Sequence, residues 1–393
     1  MKKKKIVFLI HTLGGGGAEK VLVNLVNNMD KDKYDITVMT VIDTGIYRAY
    51  LNSNIKYKSM FKIPKIARSS SKIDKSGSLL NKKSSKKKAL IRLYTSFWKI
   101  APLKLLHNLY IGNKYDIEVA FLEGISAKII ANSSNKNSKK IAWIHVDLLN
   151  QHKSKKVFKN KEEERNTYSK FDQIVCVSEK VKESFDKLFS FDANNKVIVK
   201  HNVIDSNEII RKSKVKTDIS SNDFTICSIG RLNRQKNYLR LAKCAYLLRK
   251  KKLHFNVWII GEGTGRERIQ KYIDTHQMND YFHLLGFRKN PYSILKKADL
   301  FVCSSIAEGY STSVVEALIL KKPVVTTDCA GMKEIFGNSH CGIIVPNNTN
   351  SLFNGLYRVM TTSKLYRIIK QGAETKSKDF NLQQSVKNIE TIL

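Results

Sequence analysis

Along most of the chain, short apolar runs alternate with longer stretches whose apolar positions recur at helical spacing. Ile6–Ile10 is an unbroken apolar run, the pattern of a strand buried on both faces. It feeds Gly14–Gly17 and then a helical stretch, Ala18–Met29. Tyr34–Val41 alternates as a strand does. Further strands are predicted at Ile117–Phe121, Ile141–His145, Gln173–Val177 and Val197–Lys200, with helices near Ser126–Asn132 and Glu179–Phe189. After Asp205 a polar stretch, Ser206–Asp223, reads as a linker. The alternation then restarts. Phe224–Ile229, Asn256–Ile260, Phe282–Leu285, Leu300–Cys303, Val324–Thr326 and Gly342–Val345 read as strands. Helices fall near Leu239–Lys251, Arg266–His276, Ser311–Leu320 and Leu352–Met360.

This order implies right-handed βαβ units and parallel sheets covered on both faces. The predicted class is α/β, with two doubly wound domains facing across a cleft and ligands at the carboxyl ends of the strands. The expected domains are residues 1–205, residues 206–375 and a terminal helix, 376–393, that returns to the first domain. Lys62–Lys88 breaks the pattern; rich in Ser, Lys and Asn, it reads as a loop or mobile segment. It leads into Ala89–Ile111, where Leu90, Leu93, Phe97, Trp98, Ile100 and Leu105 mix with Arg92, Lys99 and Lys104. Residues 62–111 are thus a basic insertion in the first domain. Its amphipathic part has two open readings: a membrane-interface helix, or a helix packed on its own domain with the aromatics as core.

Composition narrows the picture. Hydrophobic residues make up 42% of the 393, which argues against disorder over most of the length. No apolar run reaches the ~18 residues of a membrane span. Lys2–Lys5 followed by Ile6–Ile10 imitates a signal peptide, but its apolar part is too short and His11 and the glycines interrupt it. A first strand behind a basic terminus, in a cytoplasmic chain, is the expectation. The six cysteines form no C-x-x-C pair and several sit in strand-like runs, so they read as buried thiols. The net charge is +36. From Lys56 to Lys114, 16 Lys or Arg face one acid, Asp74. Such an excess points to an anionic surface, to nucleic acid or to a merely solvated lysine-rich face.

Two segments carry candidate chemistry. Gly230-Arg-Leu-Asn-Arg-Gln-Lys-Asn237 follows a strand and opens a helix, offering Arg231, Arg234 and Lys236 to an anion such as a diphosphate. Glu308-Gly-Tyr-Ser-Thr-Ser-Val-Val-Glu316 also joins a strand to a helix. The amides of Gly309, Tyr310 and Ser311 would face an anion there. Glu308 is expected on the loop and Glu316 inside the helix, within an apolar surround where its charge needs a partner. Carboxylates suit the paired hydroxyls of a sugar and a ribose.

The order Gly14-Gly-Gly-Gly-Ala-Glu19, Gly230-Arg-Leu…Lys236-Asn237, Gly261-Glu-Gly263, Leu285-Gly-Phe287, Ala298-Asp-Leu-Phe-Val302, Glu308…Glu316-Ala-Leu, Pro323-Val-Val-Thr-Thr-Asp328 and Gly331…Glu334…Gly342-Ile-Ile-Val-Pro346 resembles glycosyltransferase family 4. The resemblance spans nearly the whole chain and is dense from Phe224 to Pro346. It implies the GT-B fold of two Rossmann-like domains. It also implies transfer from a nucleoside-diphosphate sugar, UDP foremost, with retention and without metal or other cofactor. By position, Glu316 would bind ribose, Glu308 would lie by the donor sugar, and Arg231 and Lys236 would hold the diphosphate. Gly16 and Gly17 would close over the phosphates, His145 would stand near the reaction centre, and the base would meet backbone near Phe287. The family often has Gly or Pro where Ser311 stands and Gly where Lys321 stands; the second departure costs a favourable helix C-cap.

Two other readings stay open at this point. A non-catalytic sugar-nucleotide-binding or partner protein on the same fold is one, against which the intact Arg231, Lys236, Glu308 and Glu316 argue. A basic nucleic-acid-binding protein is the other, suggested by charge alone and unsupported by any zinc spacing or ribonucleoprotein motif. The expected acceptor is a glycan or lipid-linked glycan of cell-surface polysaccharide, capsule or lipopolysaccharide assembly. It would be met at the anionic inner face of the membrane, with the chain peripheral there and no nucleic acid as partner.

Overall fold

The computed structural model describes residues 2–62, 80–191 and 196–393. The chain divides into two compact units: Met1–Val177, Val181–Lys200 and Val386–Leu393 form the first, and Ser178–Lys180 with His201–Ser385 form the second.

The first unit is built on seven parallel strands: β1 (Lys4–Ile10), β2 (Tyr34–Ile42), β3 (Lys56–Phe61), β4 (Ile117–Ala120), β5 (Lys139–Ile144), β6 (Gln173–Cys176) and β7 (Val197–Val199). They lie in the order β3-β2-β1-β4-β5-β6-β7. Its helices are α1 (Gly17–Asn28), α2 (Leu80–Ile100), α3 (Leu103–Tyr110), α4 (Ile125–Ile130), α5 (Lys161–Ser169) and α6 (Glu179–Phe189). β1 is central, with Ile6 opposite both Ile36 and Ile117, and Ile6–Ile10 are fully buried. An apolar run covered on both faces is what a central parallel strand requires. The chain's end docks here too: Lys4 and Lys139 donate from Nζ to the carbonyls of Leu393 and Ile392 at 3.1 and 2.8 Å.

The second unit holds six parallel strands: β8 (Thr225–Ile229), β9 (Asn256–Ile260), β10 (Phe282–Gly286), β11 (Leu300–Cys303), β12 (Val324–Thr327) and β13 (Gly342–Val345). Their order is β10-β9-β8-β11-β12-β13. The accompanying helices are α7 (Ser206–Ser213), α8 (Tyr238–Lys250), α9 (Arg266–Thr275), α10 (Tyr292–Leu295), α11 (Thr312–Ile319), α12 (Met332–Phe336), α13 (Thr349–Thr361), α14 (Ser363–Lys376) and α15 (Leu382–Glu390), the last ending in the first unit. Each sheet therefore reverses direction beside its first strand, and in the second unit the crevice for a ligand opens between β8 and β11.

Several expectations need correction. The stretch predicted as a linker contains α7: Asp205 caps it by accepting from the Glu208 amide, and Ile209 is fully buried. Eight residues with two isoleucines are too few to show a helical period. β3 escaped prediction because lysines fill alternate positions of this sheet-edge strand, as suits an edge. Of the predicted loop 62–88, residues 63–79 lie outside the described residues, whereas Leu80–Lys88 is the start of α2. The stretch 89–111 is two helices, broken at Ala101-Pro102, with Pro102 at the N-cap of α3. The expected single helix 376–393 is a short turn followed by α15. All six cysteines are buried and free.

Candidate functional site

The loop after β8 is shaped by close backbone approach. Gly261 has φ +151°, and a Cβ there would stand 2.0 Å from the Gly230 carbonyl oxygen. The next βα loop therefore packs directly against the 230–237 turn. Within that turn Asn233 accepts from the Lys236 amide at 3.0 Å, and Asn237 takes a left-handed conformation to start α8. This turns Lys236 back toward β11.

The loop after β11 is stitched to it. Ile306 N–H donates to the Gln235 carbonyl at 2.7 Å, Gln235 Nε2 to the Ala307 carbonyl at 3.0 Å, and Ser304 Oγ to the Lys236 carbonyl at 2.9 Å. At the centre, Lys236 Nζ and Ser305 Oγ both donate to Glu308 Oε1, at 2.7 and 2.6 Å. Glu308 is 8% exposed. Burial works against the Lys236 charge, yet the carboxylate beside it holds its pKa above the ordinary lysine range. Thr327, ending β12, anchors the loop from below by donating to the Ser305 carbonyl at 2.6 Å. Glu308 Oε2 accepts no hydrogen bond among the described residues, so one carboxylate oxygen is fixed and the other is left for a hydroxyl.

Residues 309–311 run into α11. Their backbone is held from outside: the Gly309 carbonyl accepts from Ser178 Oγ at 2.9 Å and the Tyr310 carbonyl from Asn202 Nδ2 at 3.2 Å. His201 stacks on the Tyr310 ring at 4.7 Å. Gly331, at φ +76°, admits this loop; a Cβ there would lie 2.5 Å from the Gly309 carbonyl oxygen. The amides of Gly309, Tyr310 and Ser311 have no acceptor among the described residues, and they precede a helix N-terminus. Glu316 sits inside α11, buried, and accepts from Tyr292 Oη at 3.1 Å. Arg231 and Arg234 are exposed on their turn, and Phe287 is exposed beyond β10.

In the first unit, Gly16 is the N-cap of α1 and Gly17 its first residue, so the glycine loop ends on a helix N-terminus. His145 directly follows β5 and is buried. Its imidazole packs on Phe121 with ring centres 5.1 Å apart, and its backbone N–H donates to Glu123 at 3.2 Å. Burial lowers the His145 pKa to about 4, opposed by the hydrogen bond to the Phe121 backbone. The ring is therefore neutral near pH 7. Its Nε2 is buried without a partner among the described residues.

The structure thus joins Lys236 to Glu308 and places Glu316 on the adjoining helix, while Gly16 and Gly17 open α1 and His145 follows the end of β5 in the first unit. Sequence reasoning missed Ser305, Gln235 and Tyr292. Ser305 stands two residues past a strand end and three before Glu308, a readable position. Tyr292 gave no signal, because its spacing reads as core. Among the described residues, no three His, Cys, Asp or Glu side chains gather as metal ligands would.

Residues 209–376 match the family described as glycosyl transferases group 1. One relative is the N-acetylgalactosamine-N,N'-diacetylbacillosaminyl-diphospho-undecaprenol 4-alpha-N-acetylgalactosaminyltransferase of Campylobacter jejuni, 32% identical over 54% of this chain and 58% of that protein. The chain therefore spans little more than half the length of this relative. A glycosyltransferase of Haemophilus influenzae, itself uncharacterized, is 22% identical over 99% of this chain and all of its own. Among solved structures, Anabaena HepE in complex with UDP and glucose superposes with a TM-score of 0.73 at 18% identity, over 99% of both chains. The two parallel-sheet units are those of the GT-B fold. More closely, it is the second unit that carries the match to the glycosyl transferases group 1 family.

Proposed function

We propose that the chain is a retaining, metal-independent glycosyltransferase of family 4. It would move a hexosyl or N-acetylhexosaminyl group from a UDP-sugar to a glycan or lipid-linked acceptor in cell-surface polysaccharide assembly. The observation that carries this reading is the cradle at the β8–β11 crevice: Lys236 held on Glu308, beside three unengaged amides at the start of α11. Cations and amides gathered on a leaving group's oxygens stabilise charge as it develops. Lys236 and Arg231 would take the diphosphate with the Gly309, Tyr310 and Ser311 amides. Glu316, aimed by Tyr292, would accept from the ribose hydroxyls, and Glu308 Oε2 from a donor-sugar hydroxyl.

In the reaction the bond from the anomeric carbon to the phosphate oxygen breaks as the acceptor oxygen bonds that carbon from the same face. The acceptor proton passes to the departing phosphate, so no enzymic nucleophile is required. By the family resemblance, Gly16 and Gly17 would also contact the phosphates. His145, neutral and with Nε2 unengaged, suits a hydrogen bond to a sugar hydroxyl near the reacting carbon. UDP is favoured by the ligand of the Anabaena structure, and a lipid-linked acceptor by the undecaprenyl diphosphate in the Campylobacter relative's name. Such an acceptor places the chain on the cytoplasmic side of an anionic membrane; no helix among the described residues is long and apolar enough to cross one. Donor hydrolysis across a panel of UDP-, GDP- and CMP-sugars tests the reading: turnover of a UDP-sugar supports it, and release of nucleotide from none of them contradicts it.

A further inference from the structure

The outer face of α2 is apolar without a structural reason to be so. Leu90, Leu93, Phe97 and Ile100 are 68%, 69%, 43% and 79% exposed. At 100° per residue their spacing confines them to an arc of about 80° on one side of the helix. α3 adds Leu105 and Leu109, one turn apart and 63% and 70% exposed.

A different face of α2 does the packing. Trp98 is buried and meets Phe61, Tyr94 and Phe97 at ring-centre distances of 6.5, 6.1 and 5.2 Å. Tyr94 in turn rests edge-on against His11 at 5.9 Å. Buried Lys128 clamps the helix end, donating to the Trp98 carbonyl at 2.8 Å and pairing with Glu163 at 2.8 Å. The helix is therefore fixed without its outer leucines, and apolar side chains left in water on so tight an arc call for an apolar partner.

Charge identifies that partner. Arg92 and Lys99 fall on the flank of α2 away from both the stripe and Trp98, and Lys104 is exposed on α3. Long basic side chains in such flanking positions reach toward headgroups while the stripe enters the acyl boundary. The surrounding stretch, Lys56 to Lys114, carries 16 Lys or Arg and one acid. Lys58 and Lys114 crowd each other: burial and then the Lys58 charge lower the Lys114 pKa. Positive charge uncompensated by acids favours an anionic surface over a neutral apolar protein.

We infer that the α2–α3 face, with Leu90, Leu93, Phe97 and Ile100 inserted and Arg92, Lys99 and Lys104 around them, docks this chain on an anionic lipid surface. The inference deepens the proposed function and draws its purpose from the membrane-held acceptor of that reading; the contact itself does not depend on catalysis. The test is flotation of the full chain with mixed phosphatidylcholine–phosphatidylglycerol vesicles and with pure phosphatidylcholine vesicles. The chain floats with the anionic vesicles and far less with the neutral ones. Leu90→Ser with Leu93→Ser, at the exposed positions that make no aromatic contact with Trp98, lowers vesicle binding by about tenfold or more, with melting temperature and UDP-sugar hydrolysis unchanged. Arg92→Gln with Lys99→Gln and Lys104→Gln lowers it and flattens its salt dependence. Equal flotation of the serine variant, or equal binding to neutral vesicles, overturns the inference. So does a dimer in solution that the serine substitutions dissociate while vesicle binding persists. Failure of the wild-type chain to float with anionic vesicles while it hydrolyses a UDP-sugar refutes the docking face alone; flotation of the wild type without hydrolysis of any donor refutes the transferase reading alone.

Discussion

Lys236 Nζ and Glu308 Oε1 lie 2.7 Å apart, binding together two loops separated by 72 residues of sequence. Only 9% of the Glu308 side chain is exposed. Lys236→Met leaves that carboxylate buried with the Ser305 hydroxyl still donating to it, at a cost of about 3 kcal/mol. Lys236→Met with Glu308→Leu recovers part of the loss, which urea denaturation of the four variants of the cycle measures. Because the folded Lys236 pKa is raised, the pair's lysine contribution is complete below ~10.5 and is lost only as pH rises beyond that value. Stability should not fall between neutrality and mild alkali on account of this residue.

Tyr292 donates to Glu316 at 3.1 Å within the core. Tyr292→Phe keeps the ring and removes the hydrogen bond to a charged acceptor, a loss of about 1.5 kcal/mol or roughly tenfold in affinity. Titration calorimetry with UDP should show weaker binding, with the melting temperature lowered by a few degrees. Unchanged affinity would show that Glu316 is aimed by its other contacts.

For His145, whose pKa is lowered to about 4, the sign is opposite to that of a paired histidine. The unfolded chain binds a proton near pH 6.5 that the folded one refuses, so the stability is present above ~6.5 and fades as pH falls toward the folded value. His145→Gln should flatten this acid limb by about 3 kcal/mol in denaturation series across that window. His145→Ala should spare UDP affinity and lower turnover, since Nε2 faces no protein partner among the described residues.

Lys321 sits just past α11 with φ +60°, and Lys322 N–H closes onto the Ala317 carbonyl at 2.9 Å. This is a Schellman turn made with a lysine where glycine is unstrained. Lys321→Gly should raise stability by about 1 kcal/mol, read as a higher unfolding midpoint; a lower midpoint would mean the lysine side chain has a compensating contact.

Both parallel sheets were legible because buried parallel strands are continuous apolar runs, and β1, β9 and β11 show it in their sequences. The short or lysine-bearing elements were not. In α7 one buried isoleucine anchors a single pair of turns, and in β3 the edge position favours residues that look like loop. The site was legible where a residue type has few structural uses. Glu316 among Val314, Val315, Ala317 and Leu318 demands a partner, but nothing local says that Tyr292 supplies it, since that pairing spans 24 residues and is set by packing. Likewise the spacing of Leu90, Leu93, Phe97 and Ile100 is visible, whereas their exposure follows from Trp98 and Tyr94 taking the inward face.

The β8–β11 crevice of the second unit is proposed to bind a nucleoside diphosphate. Calorimetric titration of UDP into the wild-type chain and into Glu316→Ala tests it most directly. Saturable binding to the wild type is expected, with an affinity at least about tenfold weaker in a variant that melts with the same cooperativity. Absence of binding to the wild type, or equal affinity in the two proteins, would contradict it.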